Sequence, residues 1–119
     1  MVGEYCMPHS LNSVMDVYIS GIKKIYGSHL KDVILYGSYA RGDHNEESDI
    51  DIMILLDLTD EEIKSHRKNL SDLTFNTNID NDIDIKPIAK NIDHFEKWVM
   101  NYPFYANVSR EGISLYEAK

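Results

Sequence analysis

Two apolar runs, separated by a glycine turn and an acidic loop, constrain this fold more than any other part of the chain. The first run, Val33 to Tyr36, ends at Gly37, and the second, Ser48 to Leu56, is wholly apolar after Asp51. Such uninterrupted runs are typical of strands that are buried on both faces. Glycine adopts the positive φ that a sharp turn requires. The stretch therefore predicts a strand, a turn, a short helix, an acidic loop and a second strand.

The turn after the first strand has the features of a phosphate-binding site. Gly37 and Ser38 open it, and Tyr39 to Arg41 can form one helical turn that Gly42 ends. Backbone N–H groups without partners at a strand-to-helix junction attract phosphate groups.

Two carboxylates stand at the start of the second strand. Asp49 and Asp51 are two positions apart, so on a strand both leave the same face. At a separation of ~5 Å and an effective dielectric of 20 they would repel by roughly 3 kcal/mol. A cation between them is therefore expected. Mg²⁺ suits this position, because it takes one or two carboxylates and completes its octahedron with water and phosphate oxygens.

The two halves of this stretch together form a recognisable motif. The segment GSYARG at positions 37–42 is followed, after five residues, by SDID at positions 48–51. This pattern resembles the signature of the DNA polymerase β-like nucleotidyltransferases, in particular the minimal nucleotidyltransferases. The resemblance implies an α/β (α+β) fold with a small mixed sheet flanked by helices, in a single domain over residues 1–119. It also implies transfer of a nucleoside monophosphate from a nucleoside triphosphate, with release of pyrophosphate.

A third strand is predicted from Asp82 to Ile88, with Asp82, Asp84 and Lys86 alternating on one face. The resemblance implies a third carboxylate on a strand beside the paired aspartates. Asp84, between two isoleucines, matches best, and Asp82 is the alternative. Pro87 cannot donate a hydrogen bond, so the strand is expected to end there or to lie at an edge of the sheet.

The resemblance assigns roles to these residues. Asp49 and Asp51 would hold two Mg²⁺ ions, for which Mn²⁺ can substitute. Asp84 would hold one of them and act as a base or orient the acceptor hydroxyl. Ser38 and the backbone around Gly37 would bind the β- and γ-phosphates of the triphosphate.

Two basic residues keep two alternative roles each. Arg41 can reach a phosphate, or it can pair with Asp43 or Glu47 in the acidic loop. Lys86 can neutralise the charge of the triphosphate, or it can balance the aspartates of its own strand.

The rest of the chain predicts four helices, a loop and a last strand. They are a helix from a Ser10 cap to about Tyr26, a helix from the Thr59–Glu62 capping box to about Phe75, a loop from Asn76 to Asn81, a helix from an Asn91 cap to about Asn101, a helix from Pro103 to Gly112, and a strand over Ile113–Tyr116.

Composition limits the partners of the chain. A length of 119 residues suits one domain without a separate acceptor-binding domain, and the formal charge of -8 argues against direct nucleic-acid binding. The single cysteine, Cys6, excludes an internal disulfide and permits a reducing compartment. No apolar stretch has the length of a membrane span. We therefore expect a cytoplasmic protein without a membrane partner.

The resemblance also implies a biological setting. Minimal nucleotidyltransferases resemble the antitoxin half of a pair whose other half is a helical HEPN-type toxin. In that setting AMP from ATP would be transferred to a tyrosine hydroxyl of the toxin. The alternative is a catalytically silent module that binds a nucleotide or neutralises a toxin. A homo-oligomer is also left open.

Overall fold

A four-stranded mixed sheet with helices on both faces forms the fold, as predicted. The computed structural model describes residues 9–45 and 48–118. In chain order the elements are α1 (His9–Tyr26), a 3-10 turn (Gly27–His29), β1 (Leu30–Tyr36), α2 (Ser38–Arg41), β2 (Ile50–Leu56), α3 (Asp60–Ser65), α4 (Arg67–Asn81), β3 (Ile85–Asn91), α5 (Ile92–Trp98), α6 (Pro103–Glu111) and β4 (Ile113–Glu117). Within the described ranges, no helix combines the length and the apolar character needed to cross a membrane.

The strand order β3-β2-β1-β4 places β2 inside the sheet. β1 is antiparallel to both β2 and β4, whereas β2 and β3 are parallel. Six of the seven residues of β2 are buried, and Asp51 is the exception. β3 is an edge strand, as Pro87 predicts. The strand nevertheless continues to Asn91, because an edge strand pairs on one side only and tolerates a residue without an N–H group.

Alternation along β2 divides the core into two layers. Ile52 and Ile54 pack against α1 and α4 on one face of the sheet. Met53 and Leu55 pack on the other face, against Phe95 of α5 and residues of α6. Asp51 has the same parity as Met53, so its carboxylate leaves the sheet on the face covered by α5 and α6.

The predicted loop from Asn76 to Asn81 is wrong, because α4 continues through Asn81. Tertiary contacts outweigh the poor helix propensity of this segment. The amide of Asn78 accepts a hydrogen bond from the N–H of Ile85 (2.8 Å) and donates one to the Ile85 carbonyl (3.3 Å). The hydroxyl of Thr77 also donates to the Leu73 carbonyl one turn earlier. The helix end is therefore clamped to the start of β3.

The capping box at Thr59 is confirmed. The Thr59 hydroxyl accepts from the N–H of Glu62, and the Glu62 carboxylate accepts from the N–H of Thr59. The helix that it starts is interrupted at His66, which separates α3 from α4. The Asn91 cap is also confirmed, as is the short helix that Pro103 begins and Gly112 ends.

The predicted start of the third strand at Asp82 is wrong. Asp82 has φ 53° and forms the C-cap of α4, so β3 begins only at Ile85. Asp82 therefore does not lie on the strand face that carries Lys86. Other boundaries also differ by one to three residues: α1 begins at His9 rather than after a Ser10 cap, β1 at Leu30 rather than Val33, β2 at Ile50 rather than Ser48, and α5 ends at Trp98 rather than Asn101. Such ends depend on local hydrogen bonds that a sequence pattern does not resolve.

Candidate active site

The turn after β1 brings bare backbone against the carboxylate of Asp51. Gly37 has φ 76° and ψ -153°, and a Cβ atom added there would overlap Oδ2 of Asp51. Only glycine permits both this backbone conformation and this close approach. The N–H of Arg41 donates to the Gly37 carbonyl (3.1 Å), and the N–H of Gly42 donates to that of Ser38 (2.9 Å). The N–H groups of the first turn of α2 have no intrahelical acceptor.

The parallel pairing of β2 with β3 brings the three predicted carboxylates to one end of the sheet. Asp51 lies opposite Lys86 in the strand register. Just before the strands begin, the N–H of Ile50 donates to the carbonyl of Asp84 at 2.9 Å. Asp49 and Asp84 therefore flank the start of this strand pair. We call this end of the sheet, where β2 and β3 both begin, the acidic end of the sheet.

The charges at this end of the sheet act on Asp51. Burial raises the pKa of Asp51 above its usual range, and the negative charge of Asp49 adds to the effect. Lys86 and Arg41 lower this pKa, and Asp84 raises it slightly. Asp49 and Asp84 are thus both within electrostatic reach of Asp51.

The carboxylates provide suitable donors for a hard divalent cation, although they are not already gathered around one point. Among residues 9–45 and 48–118, no group of three or more His, Cys, Asp or Glu side chains has the arrangement of a metal site. Asp84 instead pairs with Lys86, with Oδ2 and Nζ 3.5 Å apart, and its side chain is 55% exposed. Oxygen donors are those that Mg²⁺ prefers. An exposed Asp84 can rotate toward Asp49 and Asp51.

Arg41 forms ion pairs on both sides of the turn. Its Nε lies 3.2 Å from Oδ2 of Asp43, and its Nη1 lies 3.4 Å from Oε1 of Glu111. The alternative of pairing with Asp43 is therefore realised, while Glu47 lies outside the described residues. These contacts, first the hydrogen bond to Asp43, raise the pKa of Arg41. Exposed pairs of this kind are weak, so they leave the guanidinium available to a phosphate.

Lys86 balances Asp84 and not Asp82, which caps the preceding helix. Its position opposite Asp51 in the register places a positive charge beside the acidic end of the sheet. A role toward triphosphate remains a prediction.

Ser48 closes the acidic loop just before Asp49. Its hydroxyl accepts from the N–H of Asn45 (2.9 Å), and its own N–H donates to the Asn45 carbonyl (3.1 Å). On the near side of the loop, His44 stacks on Tyr39, with ring centroids 4.0 Å apart. The described parts of the loop are therefore attached at both ends, which restricts where Asp49 can lie.

Aromatic residues border the site, and the sequence analysis did not identify them. Tyr36 lies opposite Asp51 in the β1–β2 register, and its ring meets that of Phe104 edge-on at 5.6 Å. Burial, together with the charge of Asp51, raises the pKa of Tyr36 to about 12. Tyr36 is the last residue of β1, directly before Gly37, and this position could have indicated that it lies beside the site. Phe104 and Glu111 are too distant in the chain for any local pattern to do so.

Comparison with known proteins points to one family. Residues 18–102 match the family of the nucleotidyltransferase domain. A protein of Methanocaldococcus jannaschii, whose name provisionally assigns it as a protein adenylyltransferase, is 35% identical over 99 residues, which are 83% of this chain and 91% of that protein. The glycine turn and all three carboxylates lie inside the family match.

Two solved structures share the fold. One, provisionally named a minimal nucleotidyltransferase, has a TM-score of 0.57 at 17% identity, over 89% of this chain and 93% of that chain. The other is a Shewanella oneidensis complex of a tri-AMPylated HEPN toxin with an MNT antitoxin, with a TM-score of 0.52 at 19% identity, over 92% of this chain and 72% of the matched chain. The family match covers most of the present chain, which therefore belongs to the nucleotidyltransferase domain family and is a nucleotidyltransferase.

Proposed function

We propose that this nucleotidyltransferase moves AMP from Mg²⁺-bound ATP to a tyrosine hydroxyl of a helical HEPN-type partner, and so acts as an antitoxin. The observation that carries the proposal is the meeting of Asp51 with the bare backbone of Gly37, beside Asp49 and Asp84. This arrangement joins a phosphate-binding turn to a set of oxygen ligands. The AMPylated toxin in the Shewanella oneidensis complex supports the choice of a HEPN-type protein as the acceptor.

Different residues bind the phosphates and hold the metal ions in the proposed transfer. The N–H groups around Gly37 and the hydroxyl of Ser38 bind the β- and γ-phosphates, and Arg41 and Lys86 offset their charge. Asp49, Asp51 and Asp84 hold the metal ions. When bound, Mg²⁺ neutralises the triphosphate and stabilises charge on the leaving group.

The chemical step exchanges a phosphoanhydride bond for a phosphodiester bond. The tyrosine Oη of the acceptor attacks the α-phosphorus in line with the bond from that phosphorus to the α,β-bridging oxygen. This bond breaks, pyrophosphate leaves with the bridging oxygen, and an AMP–tyrosine ester forms. The proton of the hydroxyl passes to the carboxylate of Asp84, or Asp84 orients the hydroxyl for attack.

One observation favours the catalytically silent alternative. The described residues do not hold three carboxylates in a ready ligand set. A chain with this arrangement could bind a nucleotide or a toxin without turnover. The two functions differ in whether AMP is transferred.

Mass spectrometry separates the two functions. The chain is incubated with the HEPN-type protein of the proposed pair, ATP and Mg²⁺, and the partner is digested. We expect one or more AMP units on a tyrosine-containing peptide. The Asp49→Asn, Asp51→Asn double variant should abolish this addition, because the losses in metal binding amount to several kcal/mol of barrier.

The control variant removes the same number of negative charges from a surface away from the acidic end of the sheet. Asp72 and Asp80 are exposed on α4, and the double variant Asp72→Asn, Asp80→Asn should transfer AMP as the wild type does. If the wild type adds nothing with any of the four nucleoside triphosphates, yet silences the partner as well as the Asp49 and Asp51 double variant does, the chain is a regulator and not an active transferase.

A further inference from the structure

A pocket with aromatic walls opens on the same face of the sheet as Asp51. Its volume is about 430 Å³, within the range typical of small-ligand sites. It is lined by Ile88, Lys90, Tyr102, Pro103, Phe104 and Tyr105. Tyr102 and Phe104 remain 44% and 43% exposed, although they are large rings. The pocket therefore presents aromatic surface that the core does not use.

Two routes connect this pocket to the acidic end of the sheet. Along β3, Ile88 follows Lys86 by two positions and so shares its face, and Lys86 lies opposite Asp51. Across the sheet, Tyr36 lies opposite Asp51 and its ring contacts the ring of Phe104. The pocket thus lies beside the candidate active site and begins about 7 Å along β3 from Lys86.

The chemistry of the pocket differs from that of the phosphate-binding turn. No carboxylate is among its lining residues, and its walls are mainly aromatic and aliphatic. Its one charged group, Lys90, forms no ion pair with any other residue in the described ranges. Flat heteroaromatic rings stack on aromatic side chains, and their ring nitrogens accept hydrogen bonds from an ammonium group. A second phosphate would instead require several basic groups.

We infer that this pocket binds the nucleobase of the nucleoside triphosphate, with Phe104 and Tyr102 as its stacking surface and Lys90 as a donor to the base. The inference rests on the proposed function, because it completes the binding of a nucleotide whose phosphates lie at the Gly37 turn. It gives the aromatic residues of α6 a direct part in substrate binding.

The chain contains its own probe of the pocket. Trp98, the single tryptophan of the sequence, stacks on Tyr102 with ring centroids 5.5 Å apart and an angle of 9°. A base that enters the pocket changes the surroundings of this ring pair. A nucleoside triphosphate should therefore change the fluorescence of Trp98, whereas inorganic tripolyphosphate should not.

The test compares ligands with and without a base. Dissociation constants of ATP, GTP, CTP, UTP and inorganic tripolyphosphate, each with Mg²⁺, are measured for the wild type and for Phe104→Ala. We expect the substitution to weaken nucleotide binding by about fivefold to a hundredfold, the usual effect of losing one stacking ring. Tripolyphosphate binding should change less than twofold. In the control Phe75→Ala, which removes a ring that is 64% exposed on α4, neither constant should change.

The possible contrary results are distinct. If Phe104→Ala leaves nucleotide binding intact, or weakens tripolyphosphate equally, the pocket is not a base subsite, while the proposed function stands. If it lowers AMP transfer without changing nucleotide affinity, the pocket holds the acceptor and the assignment to the base is wrong. If the wild type binds neither ligand, the proposed function fails together with this inference. Phe104→Leu, which keeps apolar volume but removes the ring, gives the same comparison if Phe104→Ala does not fold.

Discussion

Asp51 is the residue at which stability and function make opposite demands. It is the one residue of β2 that is not buried as part of the apolar core, and its carboxylate is nonetheless partly removed from water. Asp49 adds a second negative charge, which Lys86 and Arg41 only partly offset. The ionised carboxylate therefore costs folding free energy in the metal-free chain, and the proposed binding of a cation would offset this cost.

The raised pKa sets the direction of the pH dependence. The folded chain holds the proton of Asp51 more tightly than the unfolded chain does. The contribution of Asp51 to stability is therefore greatest below its unfolded pKa, near pH 4, and falls as pH rises through its higher folded pKa. Above that value the full cost is present. Neutral pH is thus where removal of the charge has the largest effect.

We predict that Asp51→Asn stabilises the metal-free chain at pH 7. The gain should be about 1 kcal/mol, or about 4 °C in melting temperature, because the substitution removes a partly desolvated charge. At pH 3 the gain should vanish. Melting curves in EDTA at both values test this. The control Asp72→Asn removes a carboxylate that pairs with Lys68 on the surface and should change stability by less than about 0.5 kcal/mol. A lower melting temperature for Asp51→Asn at pH 7 would show that the carboxylate braces the turn.

The local part of the site was predictable at the level of residues, whereas the distant part was not. Gly37, Ser38, Asp49 and Asp51 were identified because their spacing in one short segment implies a turn followed by a strand face. Glu111 contacts Arg41 across 70 positions of the chain. No periodicity connects positions so far apart, since their contact depends on how α6 lies across the sheet.

At the scale of elements, the contact between α1 and α4 explains why the sequence misled about α4. The helix has only a thin apolar stripe, and its last turns are rich in Asn and Asp. Its two buried residues are Leu70 and Thr74, and the hydroxyl of Thr74 lies 2.7 Å from the hydroxyl of Tyr18 in α1. This polar contact is invisible to a hydrophobic pattern. The same limit applies to β3, because its start is determined by the hydrogen bonds between the Asn78 side chain and the backbone of Ile85.

We predict that substitutions of Tyr18 and Thr74 have strongly coupled effects on the free energy of unfolding, because the two hydroxyls share a hydrogen bond. Tyr18→Phe and Thr74→Val should each cost about 1–2 kcal/mol, because each leaves a buried hydroxyl without its partner. The double variant should cost less than the sum of the two, since it leaves no unpaired group. Urea unfolding of the four proteins measures the difference. Strictly additive effects would mean that each hydroxyl finds another partner and that this bond does not hold α4 against α1.

For the whole molecule, the general attraction of cations by the excess negative charge has to be distinguished from cation binding at the proposed site. The chain carries a formal charge of -8. Such a molecule attracts divalent cations to its surface in general, and screening alone relieves part of its self-repulsion. The predicted family and mixed sheet are confirmed. The proposed binding of Mg²⁺ remains a prediction, and it would require Asp49, Asp51 and Asp84 to come closer together. A charge-matched comparison is therefore needed.

We predict that Mg²⁺ raises the melting temperature of the wild type more than Na⁺ does at the same ionic strength. A cation that binds only the folded chain stabilises it by about 1.4 kcal/mol for each tenfold rise in concentration above its dissociation constant. The double variant Asp49→Asn, Asp51→Asn should lose this difference, because Asp84 alone offers too few oxygen ligands. The double variant Asp72→Asn, Asp80→Asn also carries two fewer negative charges than the wild type, so it shares the change in overall field, and it should keep the full Mg²⁺ effect. If both double variants lose the effect equally, Mg²⁺ acts on the net charge of the molecule, and the acidic end of the sheet is not a metal site.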